Sequence, residues 1–252
     1  MSMIKRWIAV LAPFVLAAAA CDGGDGAPDM LSDAELRDPQ VCARCHPDHV
    51  RQWSGSMHAY AGEDPVFLAL NARGQRETDG ALGNFCVQCH APSAVLAGDT
   101  IDGLNLGELP PHQKGVTCYF CHSVEAVRGQ YNNPLDHIDD GAMRGGIADP
   151  VAKAPHGSLY SPLHDRESIE SADMCGSCHD VVTPRNVALE RTYREWRQSL
   201  YAQPGRTTQL TCGQCHMPGS DAPASSEAGS PVRRVHDHSM PAVDVALTDF
   251  PE

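Results

Sequence analysis

The sequence predicts a mainly α-helical unit with little regular secondary structure, and three observations predict it. Five copies of Cys-x-x-Cys-His run along 252 residues, at Cys42–His46, Cys86–His90, Cys118–His122, Cys175–His179 and Cys212–His216. Aromatic residues are only 6 % of the chain, so a large conventional core is not expected. With 22 glycines and 19 prolines, most of the chain is broken into short pieces.

The repeated motif carries its own chemistry. Two thiols separated by two residues on one turn can reach the two vinyl groups of a porphyrin, and the histidine that follows can meet the iron. Each copy is the attachment signature of a c-type haem. Cys42, Cys45, Cys86, Cys89, Cys118, Cys121, Cys175, Cys178, Cys212 and Cys215 are assigned to the porphyrins, and His46, His90, His122, His179 and His216 to the irons. Zinc ribbons also use Cys-x-x-Cys, but two by two and with no reason for a histidine after each pair. A thioredoxin-like redox motif would occur once. From Cys21 onward, five covalent haems leave roughly 46 residues each, so porphyrin faces must supply much of the buried apolar surface.

At the N-terminus, Lys5 and Arg6 precede an apolar stretch from Ile8 to Ala20 that is too short to span a bilayer comfortably. Ala18-Ala19-Ala20 then leads into Cys21, the one cysteine of 11 outside the motifs. Small residues before a cysteine resemble a lipoprotein export signal, although Ala18 stands where leucine is usual. Ordinary A-x-A cleavage is the alternative. The expected organisation is a signal peptide over 1–20, lipidation at Cys21, a flexible tether over 21–37 and a haem domain over 38–252. The mature protein is expected outside the cytoplasm, periplasmic or held to a membrane by its lipid.

Ser32-Asp33-Ala34-Glu35 has capping-box spacing and predicts a short helix leading to the first motif. Pro47 can start a helix running to about Tyr60, and Asp64-Pro65 another through Leu70. The longest is expected near Leu189 to Tyr201, with Tyr193, Trp196, Leu200 and Tyr201 inward and Arg191, Arg194 and Arg197 facing water. An internal echo aligns Gln52–Ala59 with Glu195–Ala202, matching Trp, Ser and Ala at equal offsets and placing Tyr201 where the first copy has His58.

Eight histidines lie outside the motifs, enough for a second axial ligand at every iron. The favoured candidates are His58, His156, His164 and the pair His236 and His238. His112 and His137 are weaker, and His49, one turn from His46, is badly placed to reach another iron. Met217 follows His216 directly and is read as packing.

A net charge of −13 excludes nucleic acid and anionic lipid as surface partners. It would steer in a redox partner with a basic docking face.

Trp-x-x-Ser-x-His-Ala after the first motif, Ser161-Pro162-Leu163-His164, Thr192-Tyr193-x-Glu195-Trp196, Cys215-His216-Met217-Pro218 and His236-x-His238 resemble multihaem c-type cytochromes. Among these, the chain resembles the group containing the tetrahaem cytochrome that accepts electrons from hydroxylamine oxidoreductase. The resemblance runs from about Asp38 to Val245. It implies a multihaem cytochrome c fold, closely stacked haem pairs, and distal roles for His58, His164 and the His236/His238 pair. The fifth motif departs from the tetrahaem pattern.

Two functions remain at this point. The first is an electron relay through five haem c groups, mostly bis-histidine ligated, acting alone or as a subunit of a larger conduit. The second is a multihaem oxidoreductase acting on a small nitrogen or sulfur compound at one five-coordinate haem. No Cys-x-x-Cys-Lys variant is present to mark a catalytic site.

Overall fold

Most of the short helices begin where a proline or a small polar side chain sets the first turn. The computed structural model describes residues 30–151, 155–244, 246–248 and 250. The signal-like segment, Cys21 and the start of the tether lie outside these residues. Helix α1 (Asp33–Arg37) carries the expected capping box between Ser32 and Glu35. Asp38 caps α2 (Pro39–Cys42), and α3 (Pro47–Ser54) starts at its proline. Ser56 caps α4 (Met57–Tyr60), and the Asp64 carboxylate accepts from Val66 and Phe67 at the start of α5 (Pro65–Glu77), the longest helix at 13 residues. Then come α6 (Val87–His90), α7 (Pro92–Ala97), α8 (Cys118–His122, capped by Thr117), α9 (Ser171–Cys178), α10 (Thr192–Gln198) and α11 (Cys212–His216, capped by Thr211).

About 36 % of the described residues are helical and about 14 % lie in strands. Four two-stranded sheets join β1 (Val124–Val127) to β2 (Leu135–His137), β3 (Ala142–Gly145) to β4 (Gly157–Tyr160), β5 (Val181–Val182) to β6 (Ala188–Glu190), and β7 (Gly219–Pro223) to β8 (Val232–His236). The β3–β4 pair is parallel and the rest are antiparallel. Among the described residues no strand exceeds five residues, too short to leave a period-two pattern in the sequence.

Three expectations change. The helix expected from Pro47 to Tyr60 breaks at Gly55, because Ser56 caps a new start. The one expected over Leu189–Tyr201 is three pieces: β6, α10 and a 3-10 turn over Leu200–Ala202. Tyr193 is buried at 3 %, but Leu200 and Tyr201 are 56 % and 52 % exposed, and Arg191 pairs with Asp180 at 3.3 Å instead of facing water. The expected tether also overlaps packed structure. Leu36 of α1 is buried, Arg37 pairs with Asp139 at 2.8 Å, and the Leu31 amide donates to Pro155 O.

The internal echo has a geometric counterpart. The Trp53 indole N–H donates to Val116 O at 2.8 Å, and that of Trp196 donates to Leu210 O at 2.8 Å. Each acceptor lies two residues before a motif, and each is followed by the threonine that caps it. The backbone repeats the pairing: Val116 N–H donates to His58 O and Leu210 N–H to Tyr201 O. Two Trp-x-x-Ser segments thus clamp α8 and α11 in the same way. In the first clamp, the approach is so close that a Cβ on Gly115, which has φ +78°, would lie 2.3 Å from Ala59 O. The largest apolar cluster is small, uniting Phe67, Val87, Ala91, Ala94 and Leu106 around the second motif.

Candidate haem-binding site

Each motif is about one helical turn. The histidine amide donates to the first cysteine's carbonyl in the first, second and fourth copies, at 2.8, 3.4 and 3.1 Å, while α8 and α11 span the third and fifth. Thiols three residues apart therefore share one side of the turn. Among the described residues, no disulfide joins any of the ten motif cysteines. Thiols of different motifs lie against one another: Cys42 with Cys118, Cys89 with Cys178, and Cys175 with Cys212. The first motif thus neighbours the third, the second neighbours the fourth, and the fourth neighbours the fifth. Burial pushes the Cys121 thiol up to about 12, so it stays protonated at neutral pH.

The five motif histidines share one arrangement. His46 Nδ1 bonds Ala224 O at 2.7 Å, His90 Nδ1 bonds Ala61 O at 3.2 Å, His216 Nδ1 bonds Pro241 O at 2.8 Å, and His122 Nδ1 bonds Arg144 O. His179 Nδ1 instead faces a carboxylate, Glu190 Oε1, at 3.2 Å. An acceptor at Nδ1 places the ring proton there and leaves Nε2 as the free lone pair, the tautomer a metal-ligating histidine needs. No described residue hydrogen-bonds any of these Nε2 atoms. Burial lowers His46, His90 and His122, keeping the rings neutral. These are residues that fit a covalently bound haem.

Two imidazoles on opposite sides of one iron have ring centres about 6 Å apart, given metal–nitrogen bonds of about 2 Å and the ring radii. Five ring pairs that include a motif histidine lie near that separation, and three of them bring in a histidine from a distant segment whose Nε2 no described residue hydrogen-bonds. His156 lies 6.2 Å from His46, His58 lies 6.0 Å from His179, and His238 lies 6.3 Å from His122. His156 and His238 are oriented like the motif histidines, with Nδ1 on Gly157 O and His236 O. Burial, with His179 nearby, holds His58 down at about 4, and burial with His49 and His122 nearby holds His238 at about 3.

The other candidates are placed differently. His164 is 5.5 Å from His122, but its Nε2 bonds Cys121 O at 2.7 Å while its Nδ1 is buried without a partner. His236, in β8, has no ring contact with a motif histidine among the described residues. His49 meets His46 edge-on at 5.9 Å, from the helix that follows it. His137 packs on Phe120 and bonds Ser123 Oγ. Among the described residues, no imidazole stands opposite His90 or His216. Phe67 lies flat on the His90 ring at 4.1 Å.

One segment organises three motifs. Residues 53–64 clamp the third motif through Trp53, aim His58 at the fourth, accept from the second through Ala61 O, and cap the helix that bears Phe67. Lys114 pairs with Glu63 at 3.1 Å and ties the segment down. The residues that sequence reasoning missed are the acceptors Ala61, Arg144, Ala224 and Pro241, which act through backbone carbonyls and leave no side-chain signal. Glu190 was also missed; it reaches His179 only because β5 and β6 fold back, pairing Val181 with Glu190.

This arrangement fits covalently bound haem on Cys-x-x-Cys-His turns, as in c-type cytochromes of the multihaem kind. The family model "Cytochrome c554 and c-prime" matches residues 41–123, which hold the first three motifs. The match supports haem c as cofactor and electron transfer as its use, and leaves the last two motifs outside it. No curated protein and no solved structure matches the chain. Among the described residues, no helix is long and apolar enough to cross a membrane.

Proposed function

We propose that the protein is an exported electron relay that carries five haem c groups, with a lipid on Cys21 holding it at a membrane. The observation that carries this reading is the shared Nδ1 anchoring of His46, His90, His122, His179 and His216, with a second imidazole facing three of them. Covalently attached haem supplies reversible one-electron chemistry at iron. The ten thiols would hold the porphyrins, the motif histidines one side of each iron, and His156, His238 and His58 the other side at the first, third and fourth sites. Two fixed imidazoles suit a relay because the ligand set need not change with oxidation state. Thiol contacts join motifs one and three in one set and motifs two, four and five in another, and Cys121 of the third motif, near Cys175 and Cys178 of the fourth, bridges the two sets. The acidic surface suits a basic partner.

A second reading, an oxidoreductase acting on a small nitrogen or sulfur compound, is favoured at the second and fifth sites, where among the described residues no imidazole stands opposite His90 or His216. Carbon monoxide added to the reduced, haem-loaded protein tests the pairing. The relay predicts binding at no more than two haems per chain and no turnover with nitrite, hydroxylamine or sulfite. Binding at three or more overturns the ligand pairs, and turnover moves the protein to the enzyme reading.

A further inference from the structure

Four of the five motif histidines direct Nδ1 at a neutral backbone carbonyl, and the remaining one, His179 of the fourth motif, directs it at a carboxylate. The Glu190 contact is built into the fold. The antiparallel β5–β6 pair sets Glu190 across from Val181, two residues beyond His179. Arg191 pairs with Asp180 at 3.3 Å on the next step of the same ladder, and the Tyr193 amide donates to His179 O at 2.9 Å. Tyr193 in turn lies against Gly176 inside the motif, where a Cβ would come within 2.2 Å of its ring. The backbone and side chain of His179 are thus both held by residues 190–193.

We propose that Glu190 is a positioning residue that lowers the reduction potential of the fourth haem, setting it apart from the other four. This rests on the haem reading above. A carboxylate that accepts the ring proton pushes electron density toward Nε2 and strengthens it as a donor, and its negative charge near the iron favours the ferric over the ferrous form. The neutral carbonyls at the other four sites supply the hydrogen bond without the charge.

The test is a potentiometric titration of haem-loaded wild type, Glu190→Gln and Glu190→Asp, resolved haem by haem by NMR. Glu190→Gln is expected to raise one midpoint potential, equivalent to a roughly tenfold fall in the ferric-to-ferrous ratio at fixed potential, and to leave four unmoved. Glu190→Asp keeps the charge and should stay near wild type, whereas a merely structural role would make Asp and Gln shift alike. Five unmoved potentials in Glu190→Gln would overturn the proposal. If that variant loads poorly, ferric wild type still decides: the ring N–H signal of His179 should stand apart from the other four, and five alike would overturn it. Haem mapping on the same sample separates the failures. A chain without haem on Cys175 and Cys178 defeats the proposed function, while a loaded fourth site with an unmoved potential defeats the role of Glu190 alone.

Discussion

A histidine binds iron well only if its other ring nitrogen is occupied, and that condition sorts the thirteen histidines of this chain. Cys-x-x-Cys-His made the five motif histidines legible from spacing alone. The second ligands were only partly legible, because an imidazole that arrives from a distant segment leaves no local pattern. His156 stands beside His46 although 110 residues separate them along the numbering. His236 and His238 were indistinguishable in sequence; β8 ends at His236, and the chain beyond it carries His238 to His122. His58→Ala, His156→Ala and His238→Ala should each add one carbon monoxide-binding haem to the reduced protein, read as an absorption change, whereas His236→Ala should add none. An added site in His236→Ala with none in His238→Ala would reverse the assignment.

Among elements, the paired tryptophan clamps have the clearest energetic consequence. Each indole N–H satisfies a carbonyl just upstream of a motif helix, and removing the donor leaves that carbonyl short of a partner, at a cost of about 1–3 kcal/mol. Trp53→Phe and Trp196→Phe should therefore each lower the denaturant midpoint of the loaded protein by that order, while their circular dichroism stays that of wild type. Gly115→Ala should cost more, because the left-handed backbone and the 2.3 Å approach to Ala59 O must both be relieved. A midpoint equal to wild type would show that the first clamp does not hold the third motif.

The Trp-x-x-Ser echo and the Ser32 and Asp64 caps were visible in sequence because they depend on residues a few positions apart. The β5–β6 pair was not, and its presence shortened the expected Leu189–Tyr201 helix: Ala188–Glu190 pair with Val181–Val182, so the helix cannot start before Thr192. Arginine spacing there had suggested one solvated helical face, but Arg191 is drawn down to Asp180.

At the scale of the whole molecule, the five motifs form neighbouring sets through Cys42–Cys118, Cys89–Cys178 and Cys175–Cys212, with the fourth motif touching both the second and the fifth. The regular core is small and sits around the second motif, as expected for a chain whose apolar contacts are meant for porphyrin. The charge of −13 predicts that electron exchange with a basic c-type cytochrome slows several-fold as ionic strength rises from 10 to about 150 mM, observable by stopped flow. A rate independent of salt would argue against an acidic docking face. The central claim is that all five Cys-x-x-Cys-His turns carry covalent haem, and the most direct measurement is the intact mass of the protein expressed with a haem-attachment system, with haem peptides mapped after digestion. Five haems per chain are expected, one on each cysteine pair from Cys42 and Cys45 to Cys212 and Cys215; an unmodified pair in otherwise loaded protein would show that its turn carries none.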